Sequence, residues 1–196
     1  MRTIFLDTEY LSLSKKFSAF KFLIKYKNIL YPEIIQIGAY KFENIFTKNR
    51  AKKLNLYLKI QQFLPKRISK LTGINQNLLN QKGRLFKDNI QLLLKFLKDS
   101  DIIFVNGEDL KLIKLNMTFN KIKSFNKKFY FINLRNLTGN IDTKKLLKFH
   151  DIKNIKLHNA LNDCLILSKF LKKFININGQ NKFLNIIKKN KKIIKF

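Results

Sequence analysis

The segment Thr3–Glu9 reads TIFLDTE, an apolar run that ends in two acids, and the fold can be inferred outward from it. A short apolar run that ends in charged residues is typical of a buried β-strand whose end lies at a site. Two later segments continue the strand pattern. Ile34–Phe42 is mostly apolar, and residues 53–60 alternate strictly between two faces. Three consecutive strands of this kind predict an antiparallel meander.

Helical patterns and further strands follow the meander. Apolar residues recur at helical spacing from Leu85 to Leu97, and Ile102–Val105 has the pattern of another buried strand. Pro65 and Gly73 are a natural start and end for a short helical turn. This order predicts an α/β fold with a mixed five-stranded sheet flanked by helices. The other expected elements are a helix from about Asp109, a strand at Phe129–Ile132, and helices near residues 142–149, 159–174 and 182–194.

Length and composition favour one domain with a hydrophobic core. The chain has 196 residues, of which 45% are apolar, so wholesale disorder is not expected. No internal repeat or Pro/Gly/Ser-rich linker divides it. We therefore expect a single domain over residues 1–196, with a motif-bearing core at about 2–175 and a basic C-terminal helix at about 181–195.

Several protein classes are excluded by the sequence. No segment approaches the ~18 uncharged apolar residues that a membrane span needs, and Asp7 comes too early for a signal peptide. A single cysteine excludes an internal disulfide framework, and two histidines make a Cys/His zinc site implausible. The expectation is a cytoplasmic protein that makes no use of a membrane.

The net charge points to a nucleic-acid partner. Lys and Arg number 41 against 12 Asp and Glu, giving a formal charge of +29 along the whole chain. A field of this kind concentrates polyanions and accelerates encounter with them. The alternative is codon bias, because the abundant Lys, Asn, Ile and Phe are all encoded by AT-rich codons. Charge therefore supports nucleic-acid binding without deciding it.

Asp7 and Glu9 are the first candidate site residues. They are two apart on a strand, so both side chains leave the same face. Two such carboxylates repel each other unless a cation lies between them, and hard divalent ions favour oxygen ligands. The pair therefore indicates a metal site, although exposed acids at a strand end are the simpler alternative.

Two later segments carry the remaining candidates. Asp109 follows a buried strand and Asn106-Gly107, at the start of a helix, where an acid is also common as a cap. His158 precedes Asp163 by five residues, too far round for one helical face. If His158 lies just before the helix, both can face one cleft, where a histidine can accept a proton from water. A surface histidine beside a helix is the alternative.

Taken in order, these motifs resemble the DEDDh exonuclease family. The D-x-E pair, the later Asp109, and His158–Asp163, which reads HNALND and is close to H-x-A-L-x-D, all match its signature. Residues 32–39 (PEIIQIGA) look like the second strand of the family, and Leu64-Pro65 with residues 71–74 (LTGI) looks like its P…TGI element. The matches run from Asp7 to about Leu171, which is most of the chain.

The resemblance implies a ribonuclease-H-like fold and a set of roles. Two divalent metal ions, Mg²⁺ or Mn²⁺, would be held at the scissile phosphate, His158 would be the general base, and nucleoside 5′-monophosphates would leave from a 3′ end. Glu108 is the alternative to Asp109 in the alignment, and Asp109 is preferred because Leu112 and Ile113 follow it with the family's apolar spacing. The metal ligands would be Asp7, Glu9, Asp109 and Asp163, and the expected substrate contacts are Thr8, Tyr10, Leu11 and Asn106.

Departures from the family pattern bear on the substrate. Proofreading relatives usually read D-x-E-T-T-G, whereas Tyr10-Leu11 follows the acidic pair here, and Asn106–Asp109 lacks their usual H-N-x-x-F-D form. The chain looks closer to the Eri-like and sporulation-inhibitor-like branch, so single-stranded RNA is favoured over DNA. The alternatives are a catalytically silent nucleic-acid-binding module of the same fold and a DNA polymerase proofreading subunit.

Other features leave alternatives open. The aromatic and basic residues of Tyr10–Tyr31, including Phe17, Phe20 and Phe22, fit either a core or a base-stacking groove. The lysines at 188–195 fit either phosphate contacts or a solvated helix face. His150 is expected to be structural, and Cys164 to be a buried packing residue.

Overall fold

The structure is a computed structural model that describes residues 1–11, 31–47, 50–138 and 155–196. Six strands in these residues form one sheet: β1 (Thr3–Tyr10), β2 (Ile34–Phe42), β3 (Lys52–Tyr57), β4 (Ile102–Val105), β5 (Lys128–Asn133) and β6 (Lys192–Lys195). Their order across the sheet is β3-β2-β1-β4-β5-β6.

The sheet is mixed. β1, β2 and β3 pair antiparallel, which confirms the predicted meander. β4 runs parallel to β1, β5 runs parallel to β4, and β6 returns antiparallel to β5. The carboxyl ends of β1, β4 and β5 therefore lie at one edge of the sheet, where open α/β sheets place their ligands.

Helices cover both faces of the sheet. They are α1 (Lys66–Thr72), α2 (Gln76–Lys82), α3 (Phe86–Leu97), α4 (Asp109–Phe119), α5 (Arg135–Thr138), α6 (Ala160–Asn178) and α7 (Gln180–Asn190). α1 ends at Gly73, whose φ of 76° is a left-handed conformation that glycine adopts without strain. The side chains of Asn75 and Asn159 cap α2 and α6 by accepting backbone N–H groups.

The core lies in two layers because strand side chains alternate between faces. Ile4 and Leu6 pack on one face together with residues of α3 and α4. Phe5 and Phe104 stack on the other face, 5.4 Å between ring centroids, against α6 and α7. Burying each such side chain stabilises the fold by about 2–3 kcal/mol. The predicted α/β architecture, a mixed sheet flanked by helices, is confirmed.

The end of the chain differs from the sequence prediction. The basic C-terminal helix expected at about 181–195 ends at Asn190, and residues 192–195 form β6, so the sheet has six strands where five were predicted. Phe196 exchanges two backbone hydrogen bonds with Lys127, the residue just before β5, and is 1% exposed. If the helix continued, the edge of β5 would be unpaired and Phe196 would lie in solvent, and both would cost free energy. The sequence of residues 192–195 alone does not reveal either cost.

Some expectations lie outside the described residues. These are the helix near 142–149, His150, and the aromatic residues Phe17, Phe20 and Phe22. Among the described residues, no helix combines the length and the apolar character needed to cross a bilayer.

Candidate active site

A cleft of about 630 Å³ opens at the sheet edge where β1, β4 and β5 end. Its walls come from the end of β1, the loop between β4 and α4, the start of α5, and the segment that leads into α6. Residues as distant in the chain as Asp7 and Asp163 therefore meet here because of the strand order, not because of chain proximity. The charged or titratable side chains relevant to chemistry are Asp7, Glu9, Asp109, Arg135, His158 and Asp163.

Three of the predicted acids converge within the cleft. Asp7 and Glu9 leave the same side of β1, and Asp163 reaches them from the first turn of α6. One carboxylate oxygen from each residue lies within 4.8 Å of the other two. This spacing lets a single cation contact all three groups.

Asp109 is held beside this trio by Thr8. Its Oδ1 accepts the Thr8 backbone N–H at 3.0 Å and the Thr8 hydroxyl at 2.8 Å. The side chain of Asp109 is therefore directed across to β1, which separates it from an ordinary helix cap. Glu108 is only partly buried, and its carboxylate lies 3.9 Å from Nζ of Lys111, so Asp109 is the acid that the fold fixes at the site.

Burial raises the pKa of all four carboxyl groups. For Asp7 the pKa lies well above its usual value, because of desolvation first and then repulsion from Asp109, Asp163 and Glu9. Desolvation, followed by repulsion from Asp163 and Asp109, raises the pKa of Glu9 to about 8. Burial raises the pKa of Asp163 to about 7. It also raises the pKa of Asp109, and the hydrogen bonds from Thr8 oppose that rise. Four ionised carboxylates are costly here without a compensating cation.

The donor set fits a hard divalent cation. Oδ1 of Asp163 is buried and has no hydrogen-bond partner among the described residues. A buried oxygen left unpaired costs about 1–3 kcal/mol, and a metal ion would remove that cost. The clustered donors are all carboxylate oxygens, which suit Mg²⁺ or Mn²⁺ better than softer metals.

His158 lies just before α6, as the sequence argument required. Its φ is 58°, a left-handed conformation that is uncommon for a residue with a side chain. Burial raises the pKa of Asp163, and a hydrogen bond from the His158 backbone opposes that rise. Partial burial also lowers the pKa of the His158 imidazole. A neutral imidazole at the wall of an acidic cleft is suited to accepting a proton.

Strand β2 holds the start of α6 in place. Gly38 approaches so closely that a Cβ there would lie 2.4 Å from the backbone of Ala160 and Leu161. The side chain of Gln36 accepts the Ala160 backbone N–H at 3.1 Å, and the Cys164 thiol donates to the Gly38 carbonyl at 3.2 Å. Cys164 is fully buried, as predicted. These contacts fix the helix that carries Asp163 and follows His158.

The expected substrate contacts divide into three groups. Tyr10 and Asn106 line the cleft. Thr8 also lines it, but its hydroxyl and N–H are engaged by Asp109. Leu11 does not line the cleft: it is 5% exposed and packs with Ile35 in a separate core cluster, because an apolar side chain at that position gains more from burial than from facing the cleft.

Arg135 was not predicted from the sequence. It begins α5 directly after β5 and contributes a positive charge to the cleft wall. The composition does not single out Arg135, since it is one of 41 basic residues. The signal that would have found it is positional: β5 runs parallel to β4, so residues after β5 reach the same sheet edge as Asp109.

Comparison with protein families finds a matching family. A family model described as RNase_T, exonuclease, matches residues 4–171 and so includes every acid of the cleft and His158. Comparison with curated proteins finds no match.

Solved structures share the fold. The nuclease domain of 3′hExo, described as a DEDDh family member bound to rAMP, has a TM-score of 0.70 at 16% identity, over 90% of this chain and 92% of that one. Cell-death related nuclease 4 has a TM-score of 0.63 at 21% identity, over 90% of this chain but 64% of its own length. Exonuclease I of E. coli in complex with single-stranded DNA has a TM-score of 0.67 at 14% identity, over 90% of this chain and 41% of its own length. The predicted ribonuclease-H-like fold is confirmed.

Proposed function

Because this chain belongs to the RNase_T exonuclease family, we propose that it removes nucleotides from the 3′ end of single-stranded nucleic acid, with RNA favoured over DNA. The observation that carries the proposal is the convergence of Asp7, Glu9, Asp163 and His158 in one cleft, with Asp109 held beside them. Buried acids facing a phosphate would oppose binding unless cations intervene, so a pure binding protein gains nothing from them.

The acids would hold two divalent ions, Mg²⁺ or Mn²⁺. Asp7, Glu9 and Asp163 provide one group of ligand oxygens, and Asp109 provides another beside Asp7. When bound, such ions stabilise negative charge on the attacking and leaving oxygens of a phosphodiester. The protein contributes fixed ligand geometry, which Thr8 and β2 maintain.

His158 is proposed as the general base. Its imidazole takes a proton from the attacking water, whose oxygen forms the new bond to phosphorus. The bond from phosphorus to the 3′ oxygen of the preceding nucleotide breaks, and that oxygen takes a proton from solvent. The products are a nucleoside 5′-monophosphate and a strand shorter by one nucleotide. The lowered pKa of His158 keeps the imidazole neutral and ready to accept the proton at pH 7.

RNA is the proposed substrate on two grounds. The sequence after Asp7 and Glu9 departs from the D-x-E-T-T-G of proofreading enzymes and is closer to the Eri-like branch. Two similar structures have RNA components in their descriptions, one with rAMP and one with a histone mRNA stem-loop. Single-stranded DNA remains the competing substrate, since exonuclease I of E. coli is described with it.

A labelled-strand assay tests the proposal. Single-stranded RNA and DNA of one sequence, labelled at the 5′ end, are incubated with Mg²⁺, Mn²⁺ or EDTA. We expect a metal-dependent ladder that shortens from the 3′ end, faster on RNA. Faster shortening of DNA would overturn the substrate assignment alone. Tight binding without shortening of either strand would favour the catalytically silent binding module.

A further inference from the structure

Arg135 is placed at the far side of the cleft from the start of α6. α6 packs over β1 and β2, and the sheet then continues through β4 to β5, which ends immediately before Arg135. The lateral order along the edge is therefore the α6 segment, then Asp7 on β1, then Asp109 after β4, then Arg135. A strand end bound over the acids would meet Arg135 on the side away from His158.

Arg135 lies close to Asp109 across Gly107, and Asn133 ties its backbone to the same loop. A Cβ built on Gly107 would lie 3.7 Å from both Cζ and Nη2 of Arg135, and 3.5 Å from Oδ2 of Asp109. Gly107 therefore separates the guanidinium from the carboxylate without a side chain to block either. The backbone is tied in as well, because Asn133 accepts the Arg135 N–H at 3.1 Å and donates to the Gly107 carbonyl at 2.8 Å.

The guanidinium is left available to a ligand. None of the ion pairs among residues 1–11, 31–47, 50–138 and 155–196 involves Arg135. Its charge is nevertheless felt in the cleft: burial and neighbouring acids raise the pKa of Asp7, and Arg135 opposes the rise. An exposed arginine that is positioned through its backbone, at the wall of a cleft built for phosphodiesters, has the geometry of an anion receptor.

We propose that Arg135 binds the phosphate of the nucleotide being removed, through the planar N–H fork of its guanidinium; this assignment rests on the exonuclease function proposed above. Arginine matches the oxygen geometry of phosphate with two parallel hydrogen bonds, whereas lysine offers a point charge. The carboxylates cannot supply this contact themselves, because they bear the same sign as the phosphate. Arg135 provides a fixed positive group on the cleft wall.

The test compares binding of adenosine 5′-monophosphate with binding of adenosine, measured by calorimetry with Mg²⁺ present. The two ligands differ only in the phosphate, so their affinity ratio isolates the proposed contact. The variants are Arg135→Ala, Arg135→Lys and, as control, Arg2→Ala. Arg2 carries the same charge at the opposite end of β1, where it pairs with the exposed Asp101 at 3.5 Å.

The expected result is specific to the phosphate. Arg135→Ala should weaken binding of the monophosphate by about 10- to 100-fold, the range for a charge-assisted hydrogen-bond pair, and leave adenosine binding unchanged. Arg135→Lys should recover part of the loss, and Arg2→Ala should match the wild type. Unchanged melting temperatures show that the variants are folded.

Other outcomes overturn the assignment. An equal loss for both ligands would make Arg135 a structural residue of the cleft wall, and no loss for either would remove it from the site. Failure of the wild type to bind the monophosphate more tightly than adenosine would also refute it. If the wild type still shortens strands in any of these cases, the exonuclease proposal stands and only the role of Arg135 fails.

Discussion

Glu108 and Asp109 are adjacent acids of similar chemistry, and only their surroundings separate them. Asp109 is 5% exposed and accepts two hydrogen bonds from Thr8, whereas Glu108 lies towards Lys111 near the surface. The sequence preference for Asp109 rested on the spacing of later apolar residues. The structure supplies the physical distinction, a partner on β1 that is 101 residues away in the chain.

Replacing these two acids should therefore have unequal effects. Asp109→Asn keeps the shape but removes a proposed metal ligand, and we expect turnover to fall by more than about 100-fold, close to 3 kcal/mol of lost transition-state stabilisation. Glu108→Gln should remain within a few-fold of the wild type. Steady-state rates on one labelled strand compare them, and the reverse ranking would transfer the ligand role to Glu108.

His158 should be needed for the rate and not for binding. His158→Ala removes the proposed base, for which typical losses are about 10²- to 10⁴-fold, while strand affinity measured in EDTA should be nearly unchanged. The wild-type rate should fall on acidification as the imidazole becomes protonated, with a midpoint below the usual histidine pKa because burial lowers it. His158→Gln is the size-matched control. Near-normal turnover by either variant would exclude a general base at this position.

At the scale of elements, the start of α6 depends on Gly38. The pattern of β2 was readable from its apolar residues, but nothing in the sequence indicates that its glycine touches a helix 122 residues later. The contact exists because α6 packs across β1 and β2. This approach is what lets Asp163 reach the acids of β1.

Gly38→Ala is expected to harm both stability and activity. Its Cβ would lie 2.4 Å from backbone atoms of Ala160 and Leu161, and backbone cannot move aside as a flexible side chain can. We expect a loss of at least about 1–3 kcal/mol in the free energy of unfolding, with a fall in turnover because Asp163 shifts. Chemical denaturation measures the change in the free energy of unfolding. Unchanged stability would show that α6 is not held by this contact.

β6 is the element that sequence reasoning placed in a helix. Lysines and isoleucines recur at helical spacing over residues 182–190. The four residues of β6 are too few to show a strand pattern of their own, so the helix was predicted to continue through them. The deciding interaction is non-local, since the edge of β5 offers unpaired backbone groups and a site for Phe196.

A pair of substitutions tests this pairing. Phe196→Ala should lower the free energy of unfolding by about 3–5 kcal/mol, the usual range for a buried phenylalanine, because its ring packs 5.8 Å from that of Phe129. Ile193→Ala, on the exposed side of β6, should cost much less. Equal small losses for both would mean that β6 is not packed on the core.

At the scale of the whole molecule, the sheet order assembles the site. The sequence identified four acids and one histidine through their family spacing, and all five line one cleft. It could not identify Arg135, because the place of Arg135 depends on which strand ends lie side by side. It could not identify the burial of Leu11 either, because that depends on packing against Ile35 and residues of α1 and α2. Family membership confirms the exonuclease resemblance, whereas the Eri-like branch and RNA preference stay proposals.

The acid cluster should make metal-free stability depend on pH. Raised pKa values mean that the folded state binds protons more tightly than the unfolded state, so stability falls as pH rises from the ordinary carboxyl range through the values of about 7 and 8 for Asp163 and Glu9. In EDTA, the melting temperature should therefore be lower at pH 8 than at pH 6. Mg²⁺ should raise the melting temperature more at pH 8 than at pH 6.

Asp163→Asn is the matched control for this effect. The neutral amide removes one buried charge, so the variant should be more stable than the wild type in EDTA at pH 8 and should gain less from Mg²⁺. A wild-type melting temperature in EDTA that does not fall between pH 6 and pH 8, or an equal Mg²⁺ response in both proteins, would argue against a metal site at these acids.

The identity of the released product tests the assignment of this cleft as a 3′→5′ exonuclease site most directly. A single-stranded RNA labelled in its 3′-terminal nucleotide is incubated with Mg²⁺ and either the wild type or Asp7→Asn, and the released label is separated by chromatography. We predict that the wild type releases nucleoside 5′-monophosphate as the first product, and that Asp7→Asn or EDTA abolishes its release. Release of the label in longer fragments, or monophosphate release that Asp7→Asn leaves intact, would contradict the assignment of this cleft as a 3′→5′ exonuclease site.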